Sequence, residues 1–173
     1  MLFRSDLKEP IEVSACLFFD ADKMGVEARA KQVIAAFSKL IPELENWDYN
    51  VSNIFNSVVF KNVGLFVFCH EDGYGNLENV ILPLMRSSNE EIFDAAEEFI
   101  VKLKNENRPS AQKFRKHFDV SKSVIGVAGQ LQYSGVANNS IIKQCDYITQ
   151  EKIQTNEVCV TIYDFFKNII SAK

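Results

Sequence analysis

No two of the four cysteines, Cys16, Cys69, Cys145 and Cys159, form a C-x-x-C pair, and the one Cys–His adjacency is Cys69-His70. A zinc centre built from clustered thiolates and imidazoles is therefore not expected. Each cysteine sits beside apolar residues, which reads as reduced core thiols in a cytoplasmic protein. Long apolar runs are also missing: none approaches the roughly 18 residues that span a bilayer, so no membrane partner is expected. The opening residues Met1 to Asp6 carry an early acid and no apolar stretch of the secretory kind. Excess positive charge is absent as well. With 19 Lys and Arg against 23 Asp and Glu, the formal net charge is -4, which argues against coating nucleic acid by bulk electrostatics. There are no internal repeats and no low-complexity linker.

What is present suits one globular domain. The 173 residues are 47% hydrophobic and include 14 Phe, enough for a sizeable core. A strand is expected over 12–19, where Ala15 to Phe19 run uninterrupted apolar as in a strand covered on both faces. A helix follows, with Val26, Ala30, Val33, Ile34, Phe37, Leu40 and Ile41 at the 3.6-residue period, closed by Pro42. Strands are expected at 57–60 and 64–69, and a short helix from about Leu77 that Pro83 kinks or ends. Ser88 and Glu91 have the spacing of a capping box, opening a helix along Ile92, Ala96, Phe99, Ile100 and Leu103. Further helices are expected at 111–117, 121–133 and 157–170; Gly126 and Gly129 in the middle one point to close packing or a bend. The expected organisation is a single α/β domain over 1–173. Its α/β core runs over about 12–86, and a mainly helical extension over about 88–173.

Asp20-Ala21-Asp22 at the end of the first strand is the sharpest chemical feature. Residues i and i+2 of a strand share a face about 7 Å apart, so two carboxylates can converge on one hard cation. Ligands bind at the carboxyl ends of strands in open α/β sheets, and Mg²⁺ favours carboxylates, water and phosphate. An Asp between strand and helix is equally a common turn or cap residue. Glu78, in Gly75-Asn76-Leu77-Glu78, follows the third strand and would rise on the same rim. Alone, it reads as a first-turn glutamate favoured by the helix dipole.

The run Leu17-Phe18-Phe19-Asp20-Ala21-Asp22, an amphipathic helix, then a strand leading to Gly75-Asn76-Leu77-Glu78 resembles a TOPRIM domain. That Rossmann-like, metal-binding domain occurs in topoisomerases, primases and the nuclease half of overcoming-lysogenization-defect proteins. The resemblance is closest to small stand-alone microbial TOPRIM-like proteins with a helical tail similar to the segment Ile125 to Gln132. It implies Mg²⁺ or Mn²⁺ held by Asp20, Asp22 and Glu78, and metal-dependent phosphodiester hydrolysis on nucleic acid. The family's Glu-Gly strand, whose glutamate is the general acid or base, should come earlier. About a dozen residues precede the aspartate strand, and Asp6-Leu7-Lys8-Glu9-Pro10 lacks the motif. The expectation is a domain shortened at its N-terminus, no assignable catalytic residue, and a sheet edge that a homodimer would cover.

Two other readings share these residues. A degenerate TOPRIM-like domain would keep the fold and act in binding or assembly. A haloacid-dehalogenase-type phosphatase would use Asp20 as nucleophile with Asp22, and Glu71-Asp72 as the later acids. For nucleic acid, the candidate contacts are Lys113, Arg115 and Lys116 in one short helix; the alternative is a solvated basic surface.

Overall fold

The computed structural model describes residues 13–105 and 119–171. Three short strands carry the apolar runs: β1 (Ala15–Asp20), β2 (Ile54–Asn56) and β3 (Asn62–Phe68). They form one sheet in the order β1-β3-β2. β1 runs parallel to β3, with Ala15 opposite Val63 and Asp20 opposite Phe68. β2 runs antiparallel to β3. A parallel pair needs a crossover, supplied here by helix α1 (Val26–Phe37) and a 3₁₀ turn over Pro42–Asn46.

Side chains alternate across a strand, and both faces of this sheet are used. Val63, Leu65 and Val67 of β3 join Ala30, Val33 and Ile34 of α1, with Leu44 and Trp47, in one buried cluster. The opposite face carries Phe18, Phe66 and Phe68. There the last helix, which we label α7 (Glu157–Ser171), brings Phe165 to ring-centroid distances of 5.5 Å from Phe66 and 5.8 Å from Phe18. Gly64 permits this approach: a Cβ there would stand 2.6 Å from Ile169 Cδ1 and 2.7 Å from Phe165 Cζ. Asn62, fully buried, fastens the end of α7 by donating to the Ile169 carbonyl over 2.9 Å.

The chain forms two compact units. Met1–Leu77 with Glu157–Lys173 is the sheet unit, and Glu78–Asn156 is the helical one. Helix α2 (Leu77–Arg86) leads into α3 (Glu90–Asn105), then α4 (Val120–Gln130), α5 (Asn138–Gln144) and α6 (Gln150–Thr155). Phe93 of α3 meets Tyr147 edge-on at 5.0 Å, and the Tyr147 hydroxyl donates to the Ala128 carbonyl over 3.0 Å. Close packing at Gly129 is realised. A Cβ there would stand 2.6 Å from Ile141 Cγ1, and nearer still to its Cδ1 and Cγ2. The mixed α/β class expected from the sequence is what forms, with a small three-stranded mixed sheet among the described residues.

Several element boundaries differ, for local reasons. The strand expected at 57–60 forms earlier, at Ile54–Asn56. Ser57 Oγ accepts the N–H groups of Val59 and Phe60 over 3.1 and 2.9 Å. The Glu43 carboxylate accepts the Val58 N–H over 2.8 Å and the Ser57 hydroxyl. Side chains thus take backbone donors that a ladder would have used, and a turn results. Helix α1 stops at Phe37 because the N–H groups of Leu40 and Ile41 both turn back to the Phe37 carbonyl. Pro83 stands inside α2 without ending it. The capping box does not form as spaced: Ser88 takes φ +63°, its N–H donates to Glu90 Oε1 over 2.9 Å, and α3 starts at Glu90. The helix expected at 111–117 lies outside the described residues.

Candidate functional site: the acidic end of the first strand

Strand β1 ends at Asp20, so Asp20 and Asp22 do not share a pleated strand. Ala21 is fully buried and its N–H donates to the Phe68 carbonyl over 2.9 Å. Asp22 then turns into the left-handed region at φ +51°, which a short polar side chain tolerates better than most. The turn is pinned by an isolated bridge to Gly75. The Asp22 N–H donates to the Gly75 carbonyl over 2.6 Å, and the Gly75 N–H returns to the Asp22 carbonyl over 2.9 Å. The strand end and the 70–76 loop are thereby joined.

Each expected acid has a protein partner. Asp20 Oδ1 accepts the N–H of Leu77, the first residue of α2, over 2.8 Å. Asp22 Oδ2 receives Arg29 Nη2 over 2.6 Å; Arg29 also donates to Gln32 over 2.7 Å. Asp22 remains half exposed at 53%. Glu78 belongs to the helical unit, where its carboxylate is 18% exposed and lies 3.6 Å from Lys122 Nζ. Asp72 Oδ1 accepts the Tyr74 N–H over 3.0 Å, closing a turn. Among the described residues, no three His, Cys, Asp or Glu side chains are grouped so as to hold a metal ion. As a donor set for Mg²⁺, the two aspartates are thus already engaged, one by an amide and one by a guanidinium.

At the start of α1 lies a cleft of about 640 Å³ lined by Met24, Gly25, Glu27, Lys31, Asp72 and Tyr74. It mixes carboxylates with a lysine and an exposed phenol. Gly25 opens α1 with φ +82°, and a Cβ there would stand 3.1 Å from the Tyr74 ring. Nearby, burial pushes the Cys69 thiol up, with the Asp72 charge adding to it, and burial raises the Tyr49 phenol. Burial also raises Cys16, Cys145 and Cys159. All four cysteines are unbridged, and these protonated thiols are poor nucleophiles and poor metal ligands.

Arg29 was not among the residues that the sequence pattern picked out. The only signal was its place on the polar face of an amphipathic helix, seven residues after Asp22. Of the basic candidates, Lys113, Arg115 and Lys116 lie outside the described residues. No helix among the described residues is long and apolar enough to cross a membrane. No family model, curated protein or solved structure matches the chain. Fold and site together define a mixed α/β protein with an acidic, arginine-paired strand end.

Proposed function

We propose that this chain is a degenerate, non-catalytic TOPRIM-like domain that serves in binding or assembly, its strand-end acids turned to structural use. The observation that carries the reading is the pairing of Asp22 with Arg29 at 2.6 Å. A guanidinium supplies there the positive charge that Mg²⁺ would otherwise bring. The Asp20–Leu77 bond supports the same reading, since it commits a carboxylate oxygen to holding a helix start. The Rossmann-like character of the proposal rests on the parallel β1–β3 pair with α1 as crossover, and on acids at the carboxyl end of a strand. Four unbridged thiols favour a cytoplasmic setting.

The test is calorimetric titration of Mg²⁺ and Mn²⁺ into the full chain and into Asp20→Asn, Glu78→Gln and Arg29→Gln. The reading expects no heat of binding in the parent protein. It also expects any site to open only when Arg29 is removed. Parent binding that Asp20→Asn and Glu78→Gln abolish would overturn it in favour of the Asp20, Asp22 and Glu78 ligand set. Nuclease assays on DNA and RNA would then follow. Hydrolysis of a small phosphate ester instead would favour the phosphatase reading with Asp20 as nucleophile.

A further inference from the structure

The cleft at the start of α1 continues along the helix. A second cleft of about 240 Å³ is lined by Ile34, Trp47 and Tyr49 and edged by Glu45 and Asp48. Ile34 and Trp47 are buried, Tyr49 is half-buried, and the two acids are exposed. Glu27 and Lys31 line both clefts. They stand one turn apart on α1 and so share a face, which makes the two clefts one groove along that face. All of its walls belong to the sheet unit.

Topology puts this groove at the ligand-binding end of the sheet. Helix α1 follows the carboxyl end of β1, and the wall over 72–74 follows the carboxyl end of β3. The Val26 N–H donates to the Gly73 carbonyl over 3.0 Å, fixing one wall against the other. The Tyr49 phenol lies by the Val67 backbone and the Cys69 thiol, also at the end of β3. The crevice outside the carboxyl ends of strands is the usual ligand position in open α/β sheets.

The lining indicates the occupant. Among the described residues, four carboxylates, Glu27, Glu45, Asp48 and Asp72, meet one ammonium, that of Lys31. No ion pair among the described residues neutralises any of the four. Tyr74 is 50% exposed and Met24 45%; a phenol face stacks on guanidinium groups and a thioether packs against methylene stems. A helix start favours anions, but here Glu27 occupies the first turn of α1 and Asp72 stands on the other wall. Charge complementarity therefore selects a cation. Enclosed small-molecule sites bury most of their ligand's surface, whereas an elongated groove edged by exposed side chains suits an extended chain.

We infer that this groove binds an extended basic peptide segment of a partner protein, with lysine or arginine side chains meeting Glu27, Glu45, Asp48 and Asp72 and a guanidinium stacking on Tyr74. The inference rests on the binding role proposed above and names the chemistry of that partner.

Fluorescence anisotropy of a labelled octapeptide of alternating glycine and arginine, titrated with the full chain, tests it. Saturable binding is expected, weakening as salt rises. Glu27→Gln and Tyr74→Ala should each weaken it about two- to fivefold, with melting temperatures unchanged because both side chains are exposed. Glu98→Gln removes an equally exposed acid from α3 and should leave binding as it is. A glycine–glutamate octapeptide and inorganic phosphate should not bind. No saturable binding of the arginine peptide, an equal loss in Glu98→Gln, or binding of the glutamate peptide or phosphate instead would overturn the proposal. Displacement of the arginine peptide by equimolar spermidine would also overturn it, in favour of a polyamine. Absence of peptide binding in a chain that binds no metal would sink the groove and leave the non-catalytic reading intact. Mg²⁺ binding that Asp20→Asn abolishes, in a chain whose groove still takes the peptide, would do the reverse.

Discussion

Arg29 Nη2 sits 2.6 Å from Asp22 Oδ2, tying the third residue after the N-terminus of α1 to a turn residue with φ +51°. The pair spans the β1–α1 connection, and the carboxylate is half exposed. Exposed pairs contribute at most about 1 kcal/mol, so Arg29→Gln should cost less than that in urea unfolding. Backbone conformation matters more at this position. Asp22→Asn should be tolerated, while Asp22→Val, with a branched side chain in the left-handed region, should cost about 1–3 kcal/mol. Equal costs for Asn and Val would show that the turn is not held as described.

Asp20 offers a cleaner separation of structural from catalytic roles. Its Oδ1 accepts the Leu77 N–H, and an asparagine carbonyl can do the same. Asp20→Asn should therefore stay near parent stability, whereas Asp20→Ala should lose about 1 kcal/mol, as for a removed helix cap. A metal ligand would behave differently: both substitutions would remove binding and neither would need to change unfolding.

Gly64 is the contact point between β3 and α7. An added methyl would stand 2.6–2.9 Å from Ile169 Cδ1, Phe165 Cζ and Phe165 Cε2. Overpacking of this kind costs about 1–3 kcal/mol. Gly64→Ala should fall in that range by chemical denaturation, and Phe165→Leu in the same chain should recover part of it. Additive losses in the double variant would mean that α7 does not lie on this face.

Acid should weaken the start of α3 through Glu90. Its carboxyl is held below the usual glutamate range by the backbone N–H of Glu90 and then that of Ser88, with partial opposition from desolvation and a further lowering from Lys152. Because the folded value is depressed, the stabilisation is present above the ordinary glutamate value and is lost as pH falls through the folded one. Melting temperatures of the parent and Glu90→Gln should differ at neutral pH and converge in acid. A gap that persists at low pH would remove the charge from the explanation.

Local pattern was sufficient wherever one periodicity dominated. The apolar run ending at Phe19, the helix beginning at Val26 and the apolar run over 64–69 announced β1, α1 and β3, because burial on both sheet faces leaves few polar positions. Short elements were less legible. The β2 turn depends on Glu43 reaching residues 57–59, about fifteen positions away. The short helices Asn138–Gln144 and Gln150–Thr155 carry too few turns to show a period.

For the candidate site, the sequence by itself determined that two aspartates follow a buried strand and that Gly75 and Leu77 lie in the loop after another. It also determined that the last helix is apolar on more than one row. Only the tertiary structure decided that Asp22 turns out of the strand, that Arg29 closes on it, and that the Leu77 amide occupies Asp20. Tertiary structure likewise returned α7, about ninety residues after β3, to the sheet face at Gly64, Phe66 and Phe18. The physical reason is one of range. Periodicity and caps act over a few residues along the chain, whereas an ion pair, a cap from a distant carboxylate or a glycine-to-phenyl contact exists only once the packing of the faces has set the distances.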